Sequence, residues 1–306
     1  MNSNKLIYGC MGLGDWNQRP LTSEATTKGF KALETAIDCG INTFDHANIY
    51  TFGKAEEIFG KFLKNNPGIR NGLKINSKAG IILNGGLNGS NTYSPYKQYL
   101  LNEINQSLTR LNVDYLDTFI LHRYDPLTSA KTIAETLDFI VDNGLAKQYG
   151  LSNVPPKIVS KIASYAKHKP VSCQIQFSLG HSDLIKHNTF FNHRKGDIYF
   201  DTLEDYESLG VEIEAWGPLD KGLFLGDFSS NPYVQNTKLL VAEMAKRYGV
   251  SAESILLGWI NKLPFNIKPI IGTSTPDRIR NCTEPVELSR EDWYNLWISS
   301  LHEPLP

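Results

Sequence analysis

Short apolar runs rich in β-branched residues recur along this chain with amphipathic helical stretches between them, and that alternation restricts the fold more than any other feature. Eight runs stand out: 6–9, 42–45, 74–77, 118–122, 148–152, 172–177, 212–215 and 269–271. Ala55, Ile58, Phe59, Phe62 and Leu63 share one helical face, as do Leu100, Leu101, Ile104, Leu108 and Leu111. Segments 130–143, 155–168, 237–248 and 252–263 carry the same period. A strand followed by a helix implies parallel neighbours, because a parallel connection needs a crossover. Eight such units in 306 residues predict a (β/α)8 TIM barrel, one domain over residues 1–306 with no separate Rossmann domain. An open doubly wound sheet is the runner-up. Gly12-Leu13-Gly14 follows the first run but lacks the GxGxxG spacing of a dinucleotide fingerprint, so it reads as a loop.

Charge narrows the partners. Thirty-one basic residues stand against 32 acidic ones, a formal net charge of -1, which gives neither nucleic acid nor an anionic membrane a reason to bind. The start, MNSNKLIYGCMG, has no basic region followed by a long apolar run, so neither a signal peptide nor a membrane anchor is expected and the chain reads as cytoplasmic. Cys10, Cys39, Cys173 and Cys282 show no CxxC spacing and read as free buried thiols. His181, His187 and His193 match no helical i, i+4 pair and read as a solvated loop, so no metal is expected. A small ligand and a monomer by default are the remaining expectations, and GLSNV lacks the second glycine of a serine-hydrolase elbow.

In a barrel of this kind the active site lies at the C-terminal ends of the strands. Those positions carry Asp45, Lys78, His122, Asn153, Gln174, Trp216 and the Gly272-Thr273-Ser274 turn. An acid, a lysine and a histidine at three successive strand ends would each cost several kcal/mol if buried alone, on the order of the price of an unpaired charge. They must compensate one another or meet a ligand. With Tyr50 nearby, they suggest proton transfer: a free phenol has a pKa of about 10, and an adjacent ammonium such as Lys78 stabilises the phenolate and is expected to bring that value down. Asp45 would orient Lys78, and His122 would polarise a bound carbonyl.

The stretches NTFDHANIY, KAG at Lys78, FILHR, GLSN, QIQFS and IIGTSTPDRI, in this order over nearly the whole chain, resemble the aldo-keto reductase superfamily, in particular a bacterial branch of predicted oxidoreductases. The resemblance implies a barrel that binds NADPH without a Rossmann domain. It also implies a catalytic tetrad of Asp45, Tyr50, Lys78 and His122 and reduction of aldehydes or ketones, the hydride coming from the nicotinamide and the proton from Tyr50. A nucleotide-sensing barrel with little turnover is the alternative.

Ser152, Asn153 and Gln174 offer amide and hydroxyl groups suited to a nicotinamide carboxamide, and Trp216 offers a flat face for stacking. Thr275 as N-cap, with Pro276 and Asp277 behind it, predicts a helix start whose free amides suit an anion. Arg278 adds a planar cation for an adenosine 2'-phosphate. The resemblance assigns Thr273, Ser274 and Arg278 to that phosphate, and Gly217, Pro218, Leu219, Lys221, Gly222 and Gly272 complete the expected cofactor set. Gly272 stands where many relatives have lysine, and Asn281-Cys282 where they have Glu-Asn. NADPH is still favoured over NADH, because Arg278 has little purpose opposite a ribose hydroxyl. Trp16, Phe52, Ile82 and Tyr124 are expected to line a pocket for a small carbonyl substrate. Segments 83–95, 180–197 and 218–236 read as long loops that set specificity.

Overall fold

The computed structural model describes residues 6–190, 201–226, 229–301 and 304–306. His193 and part of the 180–197 segment lie outside the described residues. In chain order the elements are β1 (Ile7–Gly9), α1 (Ser23–Asp38), β2 (Thr43–Asp45), α2 (Lys54–Asn65), β3 (Lys74–Ala79), β4 (Ile81–Ile82), β5 (Thr92–Tyr93), α3 (Lys97–Leu111), β6 (Leu116–Leu121) and α4 (Ala130–Asp142). There follow β7 (Ala146–Ser152), α5 (Pro156–Tyr165), β8 (Ser172–Gln176), α6 (Asp183–Thr189), α7 (Leu203–Ser208), β9 (Glu212–Trp216), α8 (Pro232–Tyr248), α9 (Ala252–Asn261), β10 (Ile267–Ile271), α10 (Pro276–Thr283) and α11 (Arg290–Ser300).

Eight parallel strands close a barrel in the order β1-β10-β9-β8-β7-β6-β3-β2, with β1 pairing β2 to complete the ring. Each is one of the eight runs. Gly9 lets β1 approach β10, since a Cβ there would sit 2.9 Å from the Ile270 side chain. The segment after β3 differs from the expected plain loop: β4 and β5 form an antiparallel hairpin, Ile81 opposite Tyr93 and Ile82 opposite Thr92. Two-residue strands leave no alternation to detect. Likewise α6 and α7 occupy the described part of the region after β8, and α8 begins at Pro232, inside a predicted loop, where Asn231 caps the helix through the Tyr233 amide.

Helix α2 matters most to the site. Ile58, Phe59 and Phe62 are buried on one face, each contributing about 1.5–3 kcal/mol. Gly60 lets α2 touch the end of α3: a Cβ would come 2.0 Å from the Arg110 carbonyl oxygen. Glu56, fully buried on α2, accepts from Ser77 Oγ of β3 at 2.6 Å and from Arg110 Nε of α3 at 2.8 Å. These contacts fix the start of α2 against the strand that carries Lys78.

Candidate active site

Asp45 closes β2, and the chain after it stays on β3 through backbone bonds from His46 N to Asn76 O and from Asn48 N to Lys78 O, each 2.9 Å. Tyr50 is thereby delivered beside Lys78, whose ammonium lies 4.9 Å from the phenol ring centre. The chain then turns sharply. Thr51 and Phe52 have φ of 48° and 59°, and Gly53 has φ of 87°, at a cost of about 1–3 kcal/mol for each non-glycine residue. The α2 packing offsets that strain, and Thr51 Oγ donates to the Leu13 carbonyl at 2.9 Å to hold the bend.

Lys78 is sealed from solvent and donates to Asp45 Oδ2 at 2.5 Å and to the His46 carbonyl at 2.7 Å. Burial opposes its charge, but the Asp45 carboxylate and then Tyr50 outweigh that and hold its pKa above the ordinary lysine value. For Tyr50 the balance runs the other way. Burial pushes the phenol above 10, Lys78 pulls it back, and burial wins. The expected net lowering is therefore corrected: Lys78 acts with the expected sign, but the dry site acts more strongly, and the phenol stays protonated at neutral pH. His122 follows β6 with its amide bonded to Ala79 O at 2.9 Å, its ring 6.1 Å from that of Tyr50 at 82°. Burial, then the cations Lys78 and Arg123, push its pKa well below 6.5, so the imidazole is neutral. Its Nδ1 is buried without a partner.

Across the barrel mouth, Asn153 has φ of 55°, its Nδ2 donates to Ser152 Oγ at 2.7 Å, and its Oδ1 accepts from Trp216 Nε1 at 3.0 Å. Gln174 is buried and its Nε2 donates to Asp45 Oδ1 at 2.8 Å and to Glu214 Oε2 at 2.7 Å. Gly217, with φ of 68°, turns the chain after Trp216 toward open space, since a Cβ there would meet nothing within 4 Å. In the next turn Asp220 accepts from Ser178 Oγ and from the Gly180 amide at 3.0 Å, which ties the Pro218–Gly222 loop to the segment after β8. After β10, Gly272 also faces open space. Arg278 is half-exposed and pairs through Nε with Glu253 Oε1 at 2.9 Å.

A model of the Aldo/keto reductase family matches residues 5–296. The chain belongs to this family. The 6-dehydroglucose reductase of Agrobacterium fabrum is 30% identical over 300 residues, covering 96% of this chain and 93% of that protein. The glycerol dehydrogenase of Gluconobacter oxydans superposes with a TM-score of 0.81 at 20% identity, covering 100% of this chain and 98% of that one. An aldo/keto reductase from Klebsiella pneumoniae, solved with NADP and acetate, superposes with a TM-score of 0.70 at 20% identity over 95% of this chain and 88% of that one.

Within this aldo/keto reductase barrel the structure brings Asp45, Tyr50, Lys78 and His122 together and sets Ser152, Asn153, Gln174 and Trp216 on adjacent strand ends. Thr275 does occupy the N-cap of α10, but its side chain caps nothing; its amide instead donates to Thr273 Oγ1 at 3.2 Å. Thr273 and Ser274 are partly buried, while Pro218, Leu219 and Gly222 are buried in the turn after β9 and Lys221 is exposed there. At the rim, Trp16 and Phe52 meet edge to face at 5.9 Å, both substantially exposed. Ile82 sits on the hairpin and Tyr124 three residues beyond β6, each half-buried. Sequence reasoning missed Glu214, Glu253 and Lys54. The signal for Glu214 was an acid at alternate positions of an apolar strand, VEIEAW. Among the described residues no group of three or more His, Cys, Asp or Glu could hold a metal, and all four cysteines are free. Among the described residues no helix is long and apolar enough to cross a membrane.

Proposed function

We propose that this aldo/keto reductase reduces aldehydes or ketones to alcohols with NADPH, Tyr50 giving the proton. One observation carries the reading: a sealed Lys78 ammonium, held by Asp45 at 2.5 Å, lies against the Tyr50 phenol with a neutral His122 beside it. The bound nicotinamide would supply the hydride. As the substrate oxygen gains electron density, the protonated phenol of Tyr50 delivers its proton to it. Lys78 stabilises the phenolate left behind, and the Asp45 pair keeps the ammonium fixed without reorganisation. Neutral His122 has one N–H to offer the carbonyl oxygen.

The residues fit the cofactor. Gly217 and Gly272 border open space that a side chain would fill, and Ser152, Asn153 and Gln174 supply both donor and acceptor atoms for a carboxamide. Trp216, pinned by Asn153, presents a ring for stacking. Thr273, Ser274 and Arg278 would hold the 2'-phosphate, Glu253 orienting the guanidinium by its Nε and leaving the terminal nitrogens. Leu219, Lys221 and Gly222 would close over the pyrophosphate. The Klebsiella structure with NADP and the reductase named for 6-dehydroglucose support a nicotinamide-dependent carbonyl reduction. The exposed Trp16–Phe52 pair favours a substrate with an apolar face.

The test follows absorbance of NADPH mixed with the protein and a panel of aldehydes and ketones. Wild type should consume it, and Tyr50→Phe should lose a factor of about 10²–10⁴ in turnover while still quenching with NADPH. Near-normal turnover by Tyr50→Phe would overturn the proton-donor role. Binding without consumption across the panel would favour a nucleotide sensor.

A further inference from the structure

Gln174 has two amide hydrogens and one carbonyl oxygen to satisfy. Its Nε2 faces two carboxylates at once, Asp45 Oδ1 at 2.8 Å and Glu214 Oε2 at 2.7 Å. An acceptor in that place would oppose Asp45, which Lys78 already engages through its other oxygen, so the amide cannot flip. Both hydrogens are used, and the side chain has only acceptor capacity left. Glu214 itself has nothing comparable to Lys78. The groups facing it are Asp45 on β2, Gln174, Cys173 and the Ser172 hydroxyl on β8, and Glu212 on its own strand, the last already paired with Lys268 of β10 at 2.7 Å.

We propose that Glu214 is a positioning residue for the cofactor: with Asp45 it fixes the Gln174 amide so that only its oxygen is offered to the carboxamide nitrogen of the nicotinamide. This rests on the reading of the site as a nicotinamide site. The grip on Gln174 is stronger when Glu214 is ionised, since a charged acceptor roughly doubles a hydrogen bond. Burial, then the like charge of Asp45, raise the Glu214 pKa to about 7, so that grip changes in the neutral range.

The experiment measures binding of NADPH and of 2'-phospho-ADP-ribose, which lacks the nicotinamide, by wild type, Glu214→Gln and Glu214→Met from pH 6 to 8.5. The ratio of the two affinities cancels titration of the phosphate. In wild type that ratio should rise severalfold with pH. Glu214→Gln, which still accepts from Gln174 but cannot ionise, should show a flat ratio. Glu214→Met should bind NADPH about tenfold more weakly at high pH, the loss of roughly one hydrogen bond, with the fragment unchanged. Equal effects on both ligands, or none on either, would overturn the role of Glu214 while leaving the nicotinamide site intact. If wild type bound neither ligand, the site reading would fall, and this role with it.

Discussion

Two buried carboxylates share one amide nitrogen and differ in everything else. Asp45 meets an ammonium at 2.5 Å, whereas Glu214, three strands round the ring from β2, meets the neutral Gln174 amide. The neighbourhood of Asp45 is built for a full charge, because Lys78 has Asp45 and the His46 carbonyl as fixed partners and the Tyr50 phenol as a third contact. The neighbourhood of Glu214 answers its charge with a dipole, and its pKa moves up to about 7. The contrast teaches that the two carboxylates meet burial with different partners, an ammonium for one and an amide for the other, and that burial and partner must be weighed together. Tyr50 shows the same competition within one group, where burial outruns the nearby ammonium and keeps the phenol protonated.

The harshest break is Lys78→Met. It leaves Asp45 buried with an amide as its remaining side-chain partner, the situation of Glu214, and removes the cation that in the proposed reaction would stabilise the phenolate. Removing one member of a buried pair costs about 3–5 kcal/mol, read by urea denaturation at neutral pH. Turnover of a carbonyl substrate should fall with it. A variant with unchanged stability and rate would show that the ion pair is dispensable.

Glu214→Gln sharpens the comparison from the other side. The folded pKa of Glu214, about 7, lies above its ordinary 4.5, so the folded state holds the proton more tightly. Stability from this group is complete below pH 4.5 and is lost as pH rises through 7. The variant, neutral throughout, should exceed wild type by on the order of 3 kcal/mol at pH 8.5 and match it near pH 4.5. Unfolding curves at the two pH values decide it: a pH-independent difference would mean that Glu214 does not titrate in this range.

The eight strands were legible because β2, β3, β6, β7 and their neighbours are apolar runs between helical periods, and parallel pairing follows from the crossovers. Asp45, Lys78 and His122 were legible by position, at the strand ends where polar residues serve no core. The β4–β5 hairpin was not, since two residues carry no period. The sign of the Tyr50 shift was not either, because the sequence names the ammonium but not the depth of burial that outweighs it. Glu214 hid inside a strand, where parity says only which face it takes. Lys54 hid more completely: it looks like a solvated residue at the start of α2, and two of its three acceptors, the Asn17 and Arg19 carbonyls, are backbone oxygens, which carry no side-chain signature.

Lys54 is the mirror case of Glu214, a buried ammonium, 7% exposed, whose partners are all neutral. Its Nζ donates to the Asn17 carbonyl at 2.7 Å and to the Arg19 carbonyl at 3.3 Å, holding the loop that carries Trp16 against the turn that carries Phe52. The aromatic rim is thus fixed from behind. Lys54→Met keeps the stem packed but frees the loop, so global stability should drop by about 1.5–3 kcal/mol, the worth of a charge-assisted hydrogen bond. The sharper readout is kinetic: KM for an aromatic aldehyde should rise severalfold while that for a short aliphatic one and the rate at saturation stay close to wild type. If both substrates were affected equally, Lys54 would be supporting the Tyr50 turn rather than the Trp16–Phe52 wall, and the rim would owe its shape to the Thr51–Leu13 bond instead.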